Sequence, residues 1–123
     1  MAFSRNKMRS KKIHAEEVRR ILCDRFPDCF ARPGEPKRPL KIGIGVDLAL
    51  MIPELSSYSI ALALEDYTFG RRYCAALTPG AARVGLDGKD DGFVTEAEAA
   101  HGAGRIAMFE SSRQERKDAA PGN

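Results

Sequence analysis

Arg83-Val-Gly-Leu-Asp-Gly-Lys-Asp-Asp-Gly-Phe-Val-Thr-Glu-Ala-Glu98 contains two apolar-bearing runs separated by a short polar segment rich in Asp and Gly. Asp-Gly supplies the positive backbone angle that a tight reversal needs. The segments Arg83–Leu86 and Gly92–Thr95 therefore predict a β-hairpin turning through residues 87–91. Thr95 and Glu98 then form the spacing of a capping box, in which each side chain satisfies an amide of the other residue's turn. A helix is predicted to follow, weakened at Gly102 and Gly104 by roughly 1 kcal/mol each relative to alanine. Residues from Glu110 onward are polar and are read as a frayed tail.

Upstream the punctuation is helical. Val18, Ile21 and Leu22 fall on one face of a helix beginning near His14 and stopping before Pro27. Residues 1–12 are read as a flexible basic tail. The four prolines and Gly34 between Pro27 and Pro39 predict a loop. Leu40, Ile42 and Ile44 alternate with Lys41 and Gly43 as in a short strand or an extended entry. Val46, Leu48, Leu50 and Met51 suggest a short helix ending at Pro53. Ser56 is placed to cap a mostly apolar helix carrying Ile60, Leu62, Ala63, Leu64 and Tyr67. A second helical run from Arg71 to Leu77 follows a bend at Gly70 and ends at Pro79-Gly80. The expected class is α+β, mainly α-helical, with one small hairpin: a single domain over residues 13–109 between polar tails at 1–12 and 110–123.

The net charge of +3 is unevenly spread. Residues 1–41 hold 12 Lys/Arg against 5 Asp/Glu, whereas 42–123 hold 8 against 12. A basic first third on an acidic remainder suggests either a polyanion contact or a solvated tail. Three cysteines, Cys23, Cys29 and Cys74, cannot close a full disulfide set, and no secretory signal or membrane span is read. A reduced, cytoplasmic setting is the default expectation. The cysteine spacing suits no zinc motif, so no metal or other cofactor is expected.

Gly43-Ile-Gly45 lacks the third glycine and the strand–helix context of a dinucleotide fingerprint, so close backbone approach or a bend is the better reading. Residues 87–98 also fit part of a calcium loop, with Asp87, Asp91, Gly92 and Glu98 at its first, fifth, sixth and twelfth positions. Lys89 stands where an oxygen ligand is required. No nucleophile–base–acid set appears, and no enzymatic activity is expected. What remains is cationic and aromatic: Lys37, Arg38 and Lys41 around one turn, then Arg71, Arg72 and Tyr73, then Arg83. These residue types neutralise phosphates and stack on unpaired bases. For Tyr73, packing in the core is an equal alternative.

Leu22-Cys-Asp-Arg-Phe-Pro-Asp-Cys-Phe30, Arg38-Pro-Leu-Lys-Ile-Gly-Ile44, Asp47-Leu48, Tyr67, Arg72-Tyr73, Pro79-Gly-Ala81 and Arg83-Val-Gly-Leu-Asp-Gly88 together resemble the ProQ/FinO family of bacterial RNA chaperones. Gly92, Thr95 and His101 extend the likeness, which spans residues 13–107. The resemblance implies structured RNA as partner: small RNAs and mRNA 3′ ends, typically terminator-type hairpins with a single-stranded 3′ tail. It implies a pocket for the 3′ end near the aromatic and the hairpin arginine. Lys41, Arg72, Tyr73 and Arg83 match family RNA-contact positions, and Arg38 matches a family arginine without an assigned role. Lys37 joins the set through its place in the same basic turn. The sequence departs from the family where Ser57, Ala61 and Glu65 replace basic residues, and again at Gly102-Ala-Gly104. The expected function is non-catalytic RNA binding in post-transcriptional regulation by small RNAs, with a monomer favoured. A protein-interaction adaptor on the same fold is the main rival, and a degenerate calcium module the next.

Overall fold

The computed structural model describes residues 2–119, with side chains from 6 to 118. Five helices and one hairpin follow in the order α1 (Ala2–Arg25), α2 (Ile44–Met51), α3 (Ser57–Phe69), α4 (Arg71–Ala76), β1 (Ala82–Val84), β2 (Asp90–Phe93) and α5 (Glu96–Ala119).

Ala15, Val18, Leu22 and Cys23 form the buried stripe of α1, which packs along α3. Ile21, expected on this face, is exposed. The helix expected from His14 already begins at Ala2, so residues 2–12, read as a tail, are helical. No proline or glycine interrupts residues 2–13, so nothing local opposes extension towards the N-terminus. Its C-terminal end lies where Pro27 requires, at Arg25.

Of the strand expected over Leu40–Ile44, a single parallel bridge between Leu40 and Val84 forms. Lys41 N donates to Val84 O at 2.9 Å and Val84 N to Pro39 O at 2.8 Å, which ties this segment to the hairpin. Gly43 ends the extended run because it adopts φ 84°, a left-handed conformation open to glycine at little cost, and α2 starts at the next residue. A side-chain carbon on Gly45 would lie 3.3 Å from Leu64, so this glycine serves close approach of α2 to α3. Helix α2 buries Ile44 and Leu48 and leaves Val46, Leu50 and Met51 exposed.

Ser56 caps α3 by accepting from Ser59 N at 3.1 Å. Both hairpin strands lie one or two residues N-terminal to the segments the sequence suggested, with Ala82 opposite Phe93 and Val84 opposite Asp90. One extra residue on β2 separates these pairs. Beyond it Thr95 N donates to Glu98 Oε1 at 2.9 Å and Glu98 N to Thr95 Oγ1 at 3.1 Å, completing the capping box. Helix α5 continues through Glu110 to Ala119 rather than fraying there; residues 120–123 of the expected tail lie outside the described residues. Gly102 has a packing reason: a side-chain carbon there would meet Leu77 at 3.1 Å and Cys74 O at 3.2 Å, so it lets α5 approach α4.

The core joins Leu22, Phe30, Leu48, Ile52, Tyr67 and Val84, all nearly inaccessible to solvent. Tyr67 sits edge-on to both Phe30 and Tyr73 and accepts from Ala31 N through its hydroxyl at 2.9 Å. The three cysteines are buried free thiols. Burial pushes Cys29 up to about 12 and Cys23 upward as well, so they act as small apolar core residues. No helix among the described residues is long and apolar enough to cross a membrane.

Candidate nucleic-acid interface

Leu40 organises the site. Its N–H donates to the Tyr73 hydroxyl at 3.0 Å, and its carbonyl accepts from Arg83 Nη1 at 2.8 Å. A residue fixed to the hairpin by its neighbours' hydrogen bonds thus holds an α4 aromatic and a β1 cation in one place. The Arg83 side chain is 8% exposed, and its Nη2 lies 3.1 Å from Glu98 Oε1. Its Nε is buried and has no hydrogen-bond partner among the described residues. The Thr95 amide, then the Arg83 guanidinium, hold the Glu98 carboxyl below its ordinary pKa. The capping box therefore also orients the counter-charge of Arg83. Because the folded pKa is depressed, this contribution is intact above the ordinary glutamate value of about 4.3 and is lost as pH falls through the folded value.

Tyr73 and Arg83 line a cavity of about 450 Å3 together with Thr68, Leu77, Ala97, Glu98, His101 and Arg105. The cavity is walled by α3, α4, the hairpin and α5. Tyr73 is only 7% exposed, and its hydroxyl is committed to Leu40. Core packing and cavity lining are thus one role for this residue, and the cavity receives part of the ring.

The other four cations lie elsewhere. Lys41 is 2.7 Å from Asp47 and 3.5 Å from Asp91, and lines a separate cavity of about 460 Å3 with Phe26, Leu50, Met51 and Leu86. Arg38 pairs with Asp90 at 3.0 Å. Lys37 Nζ donates to Tyr67 O at 2.8 Å and lies 4.4 Å from the centre of that ring. Burial, reinforced by Arg19, holds its ammonium below the ordinary lysine pKa. Arg72 is exposed and makes no ion pair among the described residues.

Sequence reasoning missed Arg105, which donates to Phe69 O at 3.3 Å and lies 5.0 Å from the Phe69 ring centre. Its signal was periodicity: Glu98, His101 and Arg105 stand three and seven positions apart on α5, one helical face. The carboxylates of the suspected calcium loop have other uses. Asp90 and Asp91 face Arg38 and Lys41, Asp87 accepts from Lys89 N, and Glu98 serves the cap and Arg83. Among the described residues no group of three or more metal-binding side chains converges. Adding calcium up to about 1 mM is expected to leave the thermal midpoint unchanged; a saturable rise would revive the calcium reading.

The structure is thus a mainly helical domain with a hairpin-walled cavity lined by an anchored arginine and tyrosine. The chain belongs to the ProQ/FinO family, whose model matches residues 13–120. It is 39% identical over 105 residues to the RNA chaperone ProQ of Haemophilus ducreyi, covering 83% of this chain and 57% of that protein. Against the RNA chaperone ProQ of Vibrio vulnificus the identity is 36% over 113 residues, covering 89% and 54%. The chain thus spans about half the length of the curated relatives it matches. A ProQ homolog from Legionella pneumophila, solved by NMR, superposes with a TM-score of 0.64 at 31% identity, covering 74% of this chain and 79% of that one. A FinO-like RNA chaperone from Neisseria meningitidis gives 0.66 at 28%, covering 80% of each chain.

Proposed function

We propose that this protein is a non-catalytic RNA-binding protein that acts as an RNA chaperone. It takes the single-stranded 3′ end of a structured RNA, of the terminator-hairpin type, into the cavity between the hairpin and α5. The carrying observation is the joint anchoring of Tyr73 and Arg83 on Leu40 at the wall of one cavity. Arg83, with its charge paired to Glu98, supplies a fixed guanidinium, Arg105 a cation, and the Tyr73 ring an apolar edge for a terminal nucleotide. Relatives named RNA chaperones support the reading. Post-transcriptional regulation by small RNAs is the process such binding serves, with structured small RNAs and mRNA 3′ ends as partners and a cytoplasmic setting.

The adaptor reading has one observation in its favour. On α3, Ser57, Ala61 and Glu65 offer no cation, and Asp66 engages both Lys12 and Arg19. Titration against a hairpin bearing an unpaired 3′ run of uridines, at two salt concentrations, separates the two. Saturable binding that weakens with salt is expected; no binding at low salt would decide for the adaptor.

A further inference from the structure

A second basic feature lies on α1 and the loop that follows it. A hollow of about 310 Å3 is walled by Glu16, Arg19, Arg20 and Arg32, with Cys23 and Pro33. Three arginines and one glutamate thus line it. Arg19 Nη1 is 2.8 Å from Asp66 and Arg32 Nη2 is 2.8 Å from Asp24, but each guanidinium carries five N–H donors, so one ion pair leaves donors over. Arg20 makes no ion pair among the described residues.

Arg19 Cζ lies 5.1 Å and Lys37 Nζ 4.4 Å from the Tyr67 ring centre. Arg72 is near enough to Lys37 to add to the repulsion that lowers its pKa. Thr68 and Tyr73, the chain neighbours of Tyr67 and Arg72, line the cavity itself. Arg19, Lys37 and Arg72 are therefore neighbouring cations on the flank where α1 meets the 27–39 loop. The exposed α3 positions Ser57, Ala61 and Glu65 offer nothing comparable.

We propose that the hollow between Arg19, Arg20 and Arg32 is a second RNA-backbone site, holding a phosphate of the strand that leaves the cavity over Arg72 and Lys37. The proposal rests on the RNA-binding reading. Guanidinium groups suit this ligand because their paired, coplanar donors match two phosphate oxygens at once. Phosphate gripping in this chain is thereby carried by α1 and the following loop rather than by α3.

The test uses the full chain and a hairpin with an unpaired 3′ run of uridines, with binding read by fluorescence anisotropy across a salt series. A wild-type chain that binds no hairpin overturns the RNA reading, and this site with it, before any variant is made. If the wild type binds, Arg20→Ala/Arg32→Ala is expected to bind on the order of ten-fold more weakly at low salt. Its log–log salt slope should be shallower by about 1.4 to 1.8, because two cations no longer neutralise phosphate. The ratio of affinities for free and blocked 3′ ends should stay at the wild-type value. Arg20→Ala alone, which breaks no ion pair, should give about half the slope change and guards against a folding artefact. A variant slope and affinity equal to wild type, with hairpin binding intact, would overturn the proposed site and leave the cavity reading standing.

Discussion

Tyr73→Ala is expected to lower both stability and 3′-end discrimination, while Tyr73→Phe lowers stability alone. The aromatic ring is buried edge-on against Tyr67, with 6.2 Å between ring centres. Truncating such a ring to alanine costs about 3–5 kcal/mol, through reduced burial and the cavity left behind. The hydroxyl adds a separate effect: without it the Leu40 N–H has no partner. Leaving a buried donor unsatisfied costs about 1–3 kcal/mol, the loss expected for Tyr73→Phe in chemical denaturation. Tyr73→Phe keeps the ring at the cavity wall. It should therefore distinguish a free 3′ end from a blocked one nearly as well as wild type, measured at a temperature where each variant is folded. Tyr73→Ala should bind the two RNAs alike. Base stacking on an aromatic is worth about 1–3 kcal/mol, and the lower end applies because little of this ring is exposed. A folded Tyr73→Ala protein with full discrimination would place the 3′ end elsewhere.

The parts of this fold that were legible in the sequence are those whose signals act over a few residues. Asp87-Gly88 and the Thr95/Glu98 spacing determine a turn and a cap within their own neighbourhood, as do Ser56 and the break at Gly70. The illegible parts depend on partners distant in the chain. Leu40–Ile44 has strand alternation, but only Val84 offers it a ladder, and Gly43 turns the chain before a second pair can form. Val46, Leu50 and Met51 are apolar yet exposed, because hydrophobicity alone does not say which face of a short helix meets α3. Within the candidate site, Tyr73 and Arg83 stand out in the sequence by residue type and resemblance. That Arg38 and Lys41 would be held by Asp90 and Asp91, some fifty residues away, was not written in any local pattern. Arg105 was hidden for the opposite reason: its helical spacing from Glu98 was visible, but Glu98 had first to be placed at the cavity.

Deleting residues 1–11 is expected to weaken binding of many RNA sequences by a common factor without altering 3′-end preference. The deletion removes Arg5, Lys7, Arg9 and Lys11 and no carboxylate. It spares Lys12, which pairs with Asp66 beside Arg19 and helps fasten α1 to α3. Burial raises the Asp66 pKa, but hydrogen bonds from Lys12 and Arg19 outweigh that and hold it below the ordinary aspartate value. A deletion reaching Lys12 would disturb this arrangement and mix a folding effect with an RNA effect. Residues 6–11 are exposed and belong to a helical extension of α1, so their loss uncovers little core. Each phosphate that is no longer neutralised should flatten the log–log salt slope by about 0.7–0.9, so the change in slope counts how many of the four cations touch RNA. The effect grows at low salt, where counterion release is most favourable, and shrinks as salt rises. An unchanged slope in a protein that still binds the hairpin would assign these cations to solvation alone. The phosphate grip would then rest on Arg19, Arg20 and Arg32 and on the cations of the cavity.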